Sequence, residues 1–140
     1  MMQIRPYVPA DEDAVIDLWR RCELLRPWNN PHQDIQRKLK VQAELFLVGV
    51  LSGSVVATAM GGYDGHRGWV NYLAVDPACQ RKGYGRTMMQ EIEKRLIELG
   101  CPKINLQVRK GNDAALKFYA SIDYKEDAAV SLGKRLITDE

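Results

Sequence analysis

A chain of 140 residues fits the size of one domain and can bury a core without metals or disulfides. Apolar residues make up 46% and charged residues 27%, an ordinary globular balance, and a net charge of +2 is too small to argue for a nucleic-acid partner. No apolar run is long enough to span a membrane, "MMQIRPYVPADEDA" lacks a signal-peptide core, and the 3 widely spaced cysteines, without zinc-ligand spacing, fit a reducing cytoplasm.

In chain order, "QIRPYV" predicts a short edge strand, because Pro6 lacks a ladder donor. Asp11 then caps a helix with Val15, Leu18, Trp19 and Cys22 on one face. "LLRPWNNPHQD" breaks the pattern, and a weaker helix runs from Gln33 to Val41 with Ile35 and Leu39 inward. "LFLVGVLSGSVVATAMGGY" is two apolar runs about Ser52-Gly53, a hairpin signal, and "GWVNYLAV" is a further strand ending at Asp76-Pro77. From Gly83 the residues Met88, Met89, Ile92, Leu96 and Leu99 form a helical stripe, stopped by Gly100 and Pro102. "KINLQV" alternates as a strand and "NDAALKFYASI" is a helix carrying Ala115, Phe118, Tyr119 and Ile122 on one face. "AAVSLGKRLI" is a last strand, open to pairing across a homodimer. The pattern predicts a single α/β domain over 1–140. Its central sheet is mixed, with six to seven strands and about four flanking helices, and "KINLQV" runs parallel to "GWVNYLAV".

The chemistry-bearing stretch is "VDPACQRKGYGRTMM". Its glycines, Gly83 and Gly85, open a helix, and Arg81, Lys82 and Arg86 surround the turn. Helix N-termini leave amide donors unpaired and carry partial positive charge, so this pattern reads as an anion site. The plainer reading is a tight strand-to-helix turn with solvated basic residues. A Rossmann fingerprint would need a glycine where Met88 stands, and no P-loop G-K-[ST] is present.

The form Q-x-x-G-x-G after "LAVDPAC", followed by "VRKGNDAALKFYASIDY" with N-x-x-A-x-x-x-Y, resembles the GNAT superfamily of N-acetyltransferases. "LLRPWNNP", "MGGYDGHRG" and "SLGKRLI" look like its YpeA-type branch of small bacterial members. The resemblance implies acetyl-CoA as co-substrate and an amine as acceptor. It implies a pyrophosphate site over Gln80, Arg81, Lys82, Gly83, Tyr84, Gly85 and Arg86, and backbone pairing of the pantetheine arm with Leu73, Ala74 and Val75. It further implies a cofactor contact from Asn112 and protonation of the departing CoA thiolate by Tyr119. Asn112 and Tyr119 are two helical turns apart and so share a face. A core aromatic and a plain helix cap are the structural alternatives for the two.

Two departures from the family pattern stand out. Asp123-Tyr124 replaces the usual Gly-Phe, and Asp tolerates the left-handed conformation the turn needs. Gln107 stands where some relatives carry a glutamate base, and an amide cannot take a proton. The remaining base candidates are His66 and Asp64 in the glycine-rich turn between two strands, a stretch that is also an ordinary hairpin signal. His32 lies in the helix-breaking loop, where solvent exposure is expected. On the acceptor side, Arg26 and Trp28 suit an acidic or aromatic substrate group, whereas Glu23 and Asp34 suit a cationic one. No metal site is expected. A non-catalytic acyl-CoA-binding module and an anion-binding domain of another class are the competing readings.

Overall fold

The computed structural model describes all 140 residues. They fall into two compact units, Met1–Leu106 and Gln107–Glu140. No helix is long and apolar enough to cross a membrane.

In the first unit a five-stranded sheet runs in simple sequence order: β1 (Gln3–Pro6), β2 (Phe46–Leu51), β3 (Ser54–Tyr63), β4 (Gly68–Val75) and β5 (Ile104–Asn105). The first three pairings are antiparallel and the last is parallel. Ser52 and Gly53 both have positive φ, 50° and 79°, the geometry of a two-residue hairpin turn between β2 and β3. Helix α1 (Glu12–Arg21) buries Val15, Ile16, Leu18 and Trp19, and helix α2 (Pro31–Lys38) buries Ile35. These side chains join Tyr7, Phe46, Val48, Met60 and Ala74 in one core on one face of the sheet. Tyr7 stacks on Phe46 with ring centroids 4.6 Å apart. Helix α3 (Tyr84–Glu98) covers the other face with Met88, Met89, Ile92 and Leu96. A Cβ on Gly68, the first residue of β4, would lie 2.9 Å from both Leu96 Cδ1 and Cys101 Sγ, so a side chain there would force those two side chains to move.

The structure shifts some predicted details. Asp11 precedes α1 but makes no side-chain cap. Its buried carboxylate instead takes two hydrogen bonds from Arg5, at 2.8 and 2.9 Å, and one from the Val8 amide. The guanidinium and that amide hold it below the usual carboxylate range. Helix α2 starts two residues before Gln33, because Asn30 accepts from the His32 and Gln33 amides and Pro31 supplies a preset first position.

In the second unit the described helix is α4 (Asp113–Ser121). The expected strand "AAVSLGKRLI" is not formed, nor is one near Tyr124, so the sheet has five strands and not six or seven. Alternating apolar residues make a strand only when a neighbour completes the hydrogen-bond ladder. Here Val130, Leu132, Leu136 and Ile137 are exposed, and the segment meets Gln107 through a side-chain bond from Gln107 Nε2 to Ser131 Oγ and not through a backbone ladder.

Candidate active site

In the first unit, strand β4 carries several of the residues singled out in the sequence. Its parallel pairing with β5 involves only Gly68 and Trp69, opposite Ile104 and Asn105. From Val70 to Val75 the strand continues past that ladder. On its other side, Met60 pairs with Asn71 and Thr58 with Ala74, so Ala59 faces both Tyr72 and Leu73. This is a β-bulge, and Tyr72 sits in it at φ 52°. Bulges of this kind re-aim the backbone and recur beside active sites. The Tyr72 carbonyl accepts from Thr58 Oγ1 at 2.8 Å. In a trans peptide the next N–H points the opposite way, so the Leu73 amide is turned from β3.

At the end of β4, Asp76 organises the turn. Its Oδ1 accepts from the Ala78 amide at 2.9 Å, and its Oδ2 from Arg21 of α1 at 2.7 Å. These donors keep its carboxyl below the ordinary range, Arg21 most strongly. Gln80 Nε2 donates to the Val75 carbonyl at 3.2 Å, as does Cys22 Sγ at 3.3 Å. Arg81 and Gly83 then both have positive φ, 66° and 81°. Gly83 is the N-cap of α3 and supplies no side-chain cap. Its conformation disfavours any Cβ, although a Cβ there would meet nothing within 4 Å. The first turn of a 15-residue helix is therefore approachable from open space, with exposed Arg81, Lys82 and Arg86 around it. Tyr84 and Gly85, its first two residues, are half-buried.

The second unit holds Asn112 and Tyr119. Asn112 Oδ1 accepts from the Ala115 amide at 3.1 Å and caps α4. That leaves the side-chain NH₂ pointing away from the helix's own amides. Tyr119 is half-buried between two edge-on rings, Phe118 at 5.1 Å and Tyr124 at 5.7 Å. Burial pushes its phenol up to about 12. Asp123 takes φ 72°, as expected for the residue in the glycine position, and the Tyr124 amide bonds back to the Tyr119 carbonyl at 2.9 Å. This C-terminal closure places the Tyr124 ring on Tyr119.

Asp64 and His66 lie elsewhere. They form the exposed β3–β4 hairpin tip, at the opposite end of β4 from the glycine turn. At ~3.3 Å per residue, the bulge is on the order of 13 Å along β4 from Gly68. Asp64 Oδ1 accepts from the His66 and Arg67 amides at 2.8 and 2.7 Å, and Oδ2 from Trp69 Nε1 at 3.3 Å. The two backbone donors lower its carboxyl further, so it is a turn-forming anion and a weak base. Arg26 donates from Nη1 to both the Glu23 and Leu25 carbonyls, at 2.8 and 3.0 Å, while the neighbouring Trp28 is 49% exposed. His32 pairs through Nδ1 with Glu12 at 3.0 Å.

The sequence gives no sign of a role for Tyr72 or Thr58, and marks Trp19 only as part of the apolar face of a helix. A bulge leaves little trace in hydrophobic alternation, and the partners of Tyr72 lie far away in the chain.

The sequence pattern of the Acetyltransferase (GNAT) family matches residues 13–124. An acetyltransferase of Yersinia enterocolitica is 48% identical over 139 residues, which cover 99% of each chain. Among solved structures, Ard1 from Thermoplasma volcanium superposes with a TM-score of 0.77 at 25% identity, covering 91% of this chain and 84% of that one. AAC(6')-Iy, solved with a bisubstrate analog of CoA and acetylneamine, gives 0.78 at 14% identity, covering 97% and 99%, and so speaks for the fold alone. A bulged strand that outruns its parallel neighbour, an uncapped glycine turn after it, and a family match across most of the length agree. The chain belongs to the GNAT family of acetyltransferases.

Proposed function

We propose that residues 1–140 act as one N-acetyltransferase domain, moving an acetyl group from acetyl-CoA directly to a primary amine. The observation that carries this reading is the uncapped N-terminus of α3, entered through left-handed Gly83 and ringed by Arg81, Lys82 and Arg86. Such a terminus suits a pyrophosphate, which accepts from free amides and meets the positive end of the helix dipole. The β4 backbone at Leu73, Ala74 and Val75 runs beyond its parallel ladder, which suits pairing with the amides of a pantetheine arm.

The amine nitrogen attacks the thioester carbonyl. A C–N bond forms, the oxygen takes up negative charge, and the C–S bond then breaks to release CoA. The Leu73 amide of the bulge is the donor suited to the developing oxyanion. Tyr119 serves the leaving sulfur. With its phenol near 12 it is protonated throughout the neutral range, so a donor is always present. It is also a weaker acid than a thiol by about 3–4 pH units, ~5 kcal/mol against complete transfer. Tyr119 therefore acts as a hydrogen-bond donor to the forming thiolate, with the proton balance closed by the one the attacking amine gives up. Gln107 takes no proton, and Asp64 is committed to its turn. In this reading the acceptor reacts as the free amine: its ammonium form gives one proton to water before attack, and the N–H proton released after attack neutralises the departing thiolate through water. Asn112, its oxygen occupied by the cap, offers its NH₂ to the cofactor arm. Arg26 and Trp28 belong to the acceptor side, Trp28 through its exposed ring.

The test is acetyl-CoA turnover, read as free-thiol release, across small amines, amino acids and peptide N-termini. At least one amine should release CoA and appear acetylated by mass spectrometry. Tight acetyl-CoA binding with no acetylated product from any class would favour a binding module instead.

A further inference from the structure

Tyr72 is the residue of β4 that pays most for its conformation. A bulky non-glycine side chain at φ 52° costs on the order of 1–3 kcal/mol and persists only where its surroundings over-determine it. Those surroundings are present on three sides. The ring stacks on Trp19 of α1, with centroids 3.8 Å apart and planes 13° from parallel. The carbonyl accepts from Thr58 Oγ1 of β3, which in turn accepts from Trp19 Nε1 at 3.0 Å. Trp19 and Thr58 are both fully buried, so these bonds are shielded from water. The phenol donates to Asp34 Oδ2 of α2 at 2.6 Å, while Arg37 approaches the other carboxylate oxygen at 3.4 Å.

Two of these contacts fix where the Tyr72 side chain and carbonyl go, and the carbonyl direction fixes the Leu73 amide. The third, to Asp34, is different. It is half-exposed, short and charge-assisted, and it reaches the helix beside the Arg26–Trp28 loop. It therefore ties the bulge to the acceptor-side helix by a directed bond.

We infer that Tyr72 is a positioning residue for acyl transfer, and that its hydrogen bond to Asp34 lets helix α2 hold the β4 bulge in the orientation that aims the Leu73 amide. This rests on the acetyl-transfer reading above. Asp34 touches neither donor nor acceptor in this assignment; it acts through Tyr72.

The experiment reads the aimed amide directly. With acetyl-CoA carrying ¹³C at the thioester carbonyl, infrared difference spectra report how strongly the bound carbonyl is polarised. Wild type should show the carbonyl stretch lowered from its value in free acetyl-CoA. Tyr72→Phe keeps the Trp19 stack and removes the hydroxyl; Asp34→Leu removes the acceptor instead. Both should return the stretch toward the free value and lower kcat by roughly 3- to 10-fold, the worth of one hydrogen bond. KM for acetyl-CoA should be unchanged. Asp34→Asn, which still offers an oxygen, should recover most of both signals. An unshifted stretch in Tyr72→Phe relative to wild type overturns the inference while leaving acetyl transfer intact. So does a rise in acceptor KM alone in the Asp34 variants, which would make Asp34 an acceptor contact. Absence of acetyl-CoA binding by wild type would instead overturn the acetyl-transfer reading, and this inference with it.

Discussion

The two ends of β4 are both turns, and they treat backbone amides in opposite ways. At the hairpin end, Asp64 folds its carboxylate back over the His66 and Arg67 amides, so the turn satisfies its own donors. At the other end, Asp76 spends its carboxylate on Ala78 and Arg21 at the start of the turn, and Gly83 brings no side chain to the helix it opens. Both stretches are rich in glycine and charge. The difference lies in whether the fold caps itself. The anion site proposed above is a helix start without a side-chain cap, whereas the hairpin is already closed by its own carboxylate.

If binding belongs to the open turn and chemistry to groups beyond it, the two can be separated by mutation. Tyr119→Phe leaves both turns untouched. It should lower kcat by about 10²–10³-fold, the scale of losing one hydrogen-bond donor to charge that develops in the transition state. Acetyl-CoA affinity, measured by calorimetry, should barely move. Equal losses in both would mean that Tyr119 is chiefly a packing residue.

Closing the open turn is the next largest change. Gly83→Asp puts a carboxylate at the N-cap of α3, making that end resemble the hairpin. Acetyl-CoA affinity should fall roughly 10- to 100-fold, since charge-assisted bonds are lost and a like charge is added. Gly83→Asn carries the same backbone strain without the charge and should bind measurably better than Gly83→Asp. Matching affinities for the two would show that strain, and not anion recognition, explains the glycine.

A smaller effect is expected one step back, at Arg21. Its ion pairs with Asp76 and Asp17, at 2.7 and 2.9 Å, are partly exposed. Such pairs are worth about 0–1 kcal/mol and are screened by salt. Arg21→Met should therefore weaken acetyl-CoA binding only about 2- to 5-fold, more at low ionic strength than at high, with Arg21→Lys intermediate. A salt-independent loss would point to packing of the Arg21 stem in place of its charge.

How far the sequence discloses this site follows from the range of the interactions that build it. The glycine turn is local: Gln80 to Arg86 carry their own geometry, and Gly83 is legible because a left-handed residue at a helix start favours glycine. The α4 cap and the Asp123 turn are likewise contained within a few residues. Tyr72 is the opposite case. Its strain is balanced by Trp19, Thr58 and Asp34, which lie 53, 14 and 38 positions away, as the differences 72 − 19, 72 − 58 and 72 − 34 give. No local pattern marks such a residue. Asp11 shows the same limit on a shorter scale: in sequence it reads as a helix cap, but Arg5 on β1 competes successfully for its carboxylate. The stretch from 128 to 137 shows the reverse error. Its apolar alternation is real, but alternation does not supply a ladder partner.

The smallest effects should come from the closed end. Asp64→Ala removes the acceptor for two backbone amides, so hydrogen exchange at His66 and Arg67 should speed up severalfold, with little change elsewhere. The Asp64 carboxyl lies below its ordinary value in the folded chain, first because of those amides. A depressed carboxyl stabilises the fold above its unfolded pKa of about 3.9, and that contribution is lost as pH falls through the folded value. Wild type should thus show the same accelerated exchange only below about pH 4, and none near neutrality. Catalysis should not register these changes. With the free amine as the reacting species, kcat/KM should rise toward the pKa of each acceptor and shift across a series of graded basicity. The profiles for wild type, Asp64→Asn and His66→Ala should coincide. A limb near ~6.5, the ordinary histidine range, that stays fixed across acceptors and vanishes in His66→Ala would break the comparison. It would show that the hairpin end supplies a base to a reaction centred on the other side of the bulge.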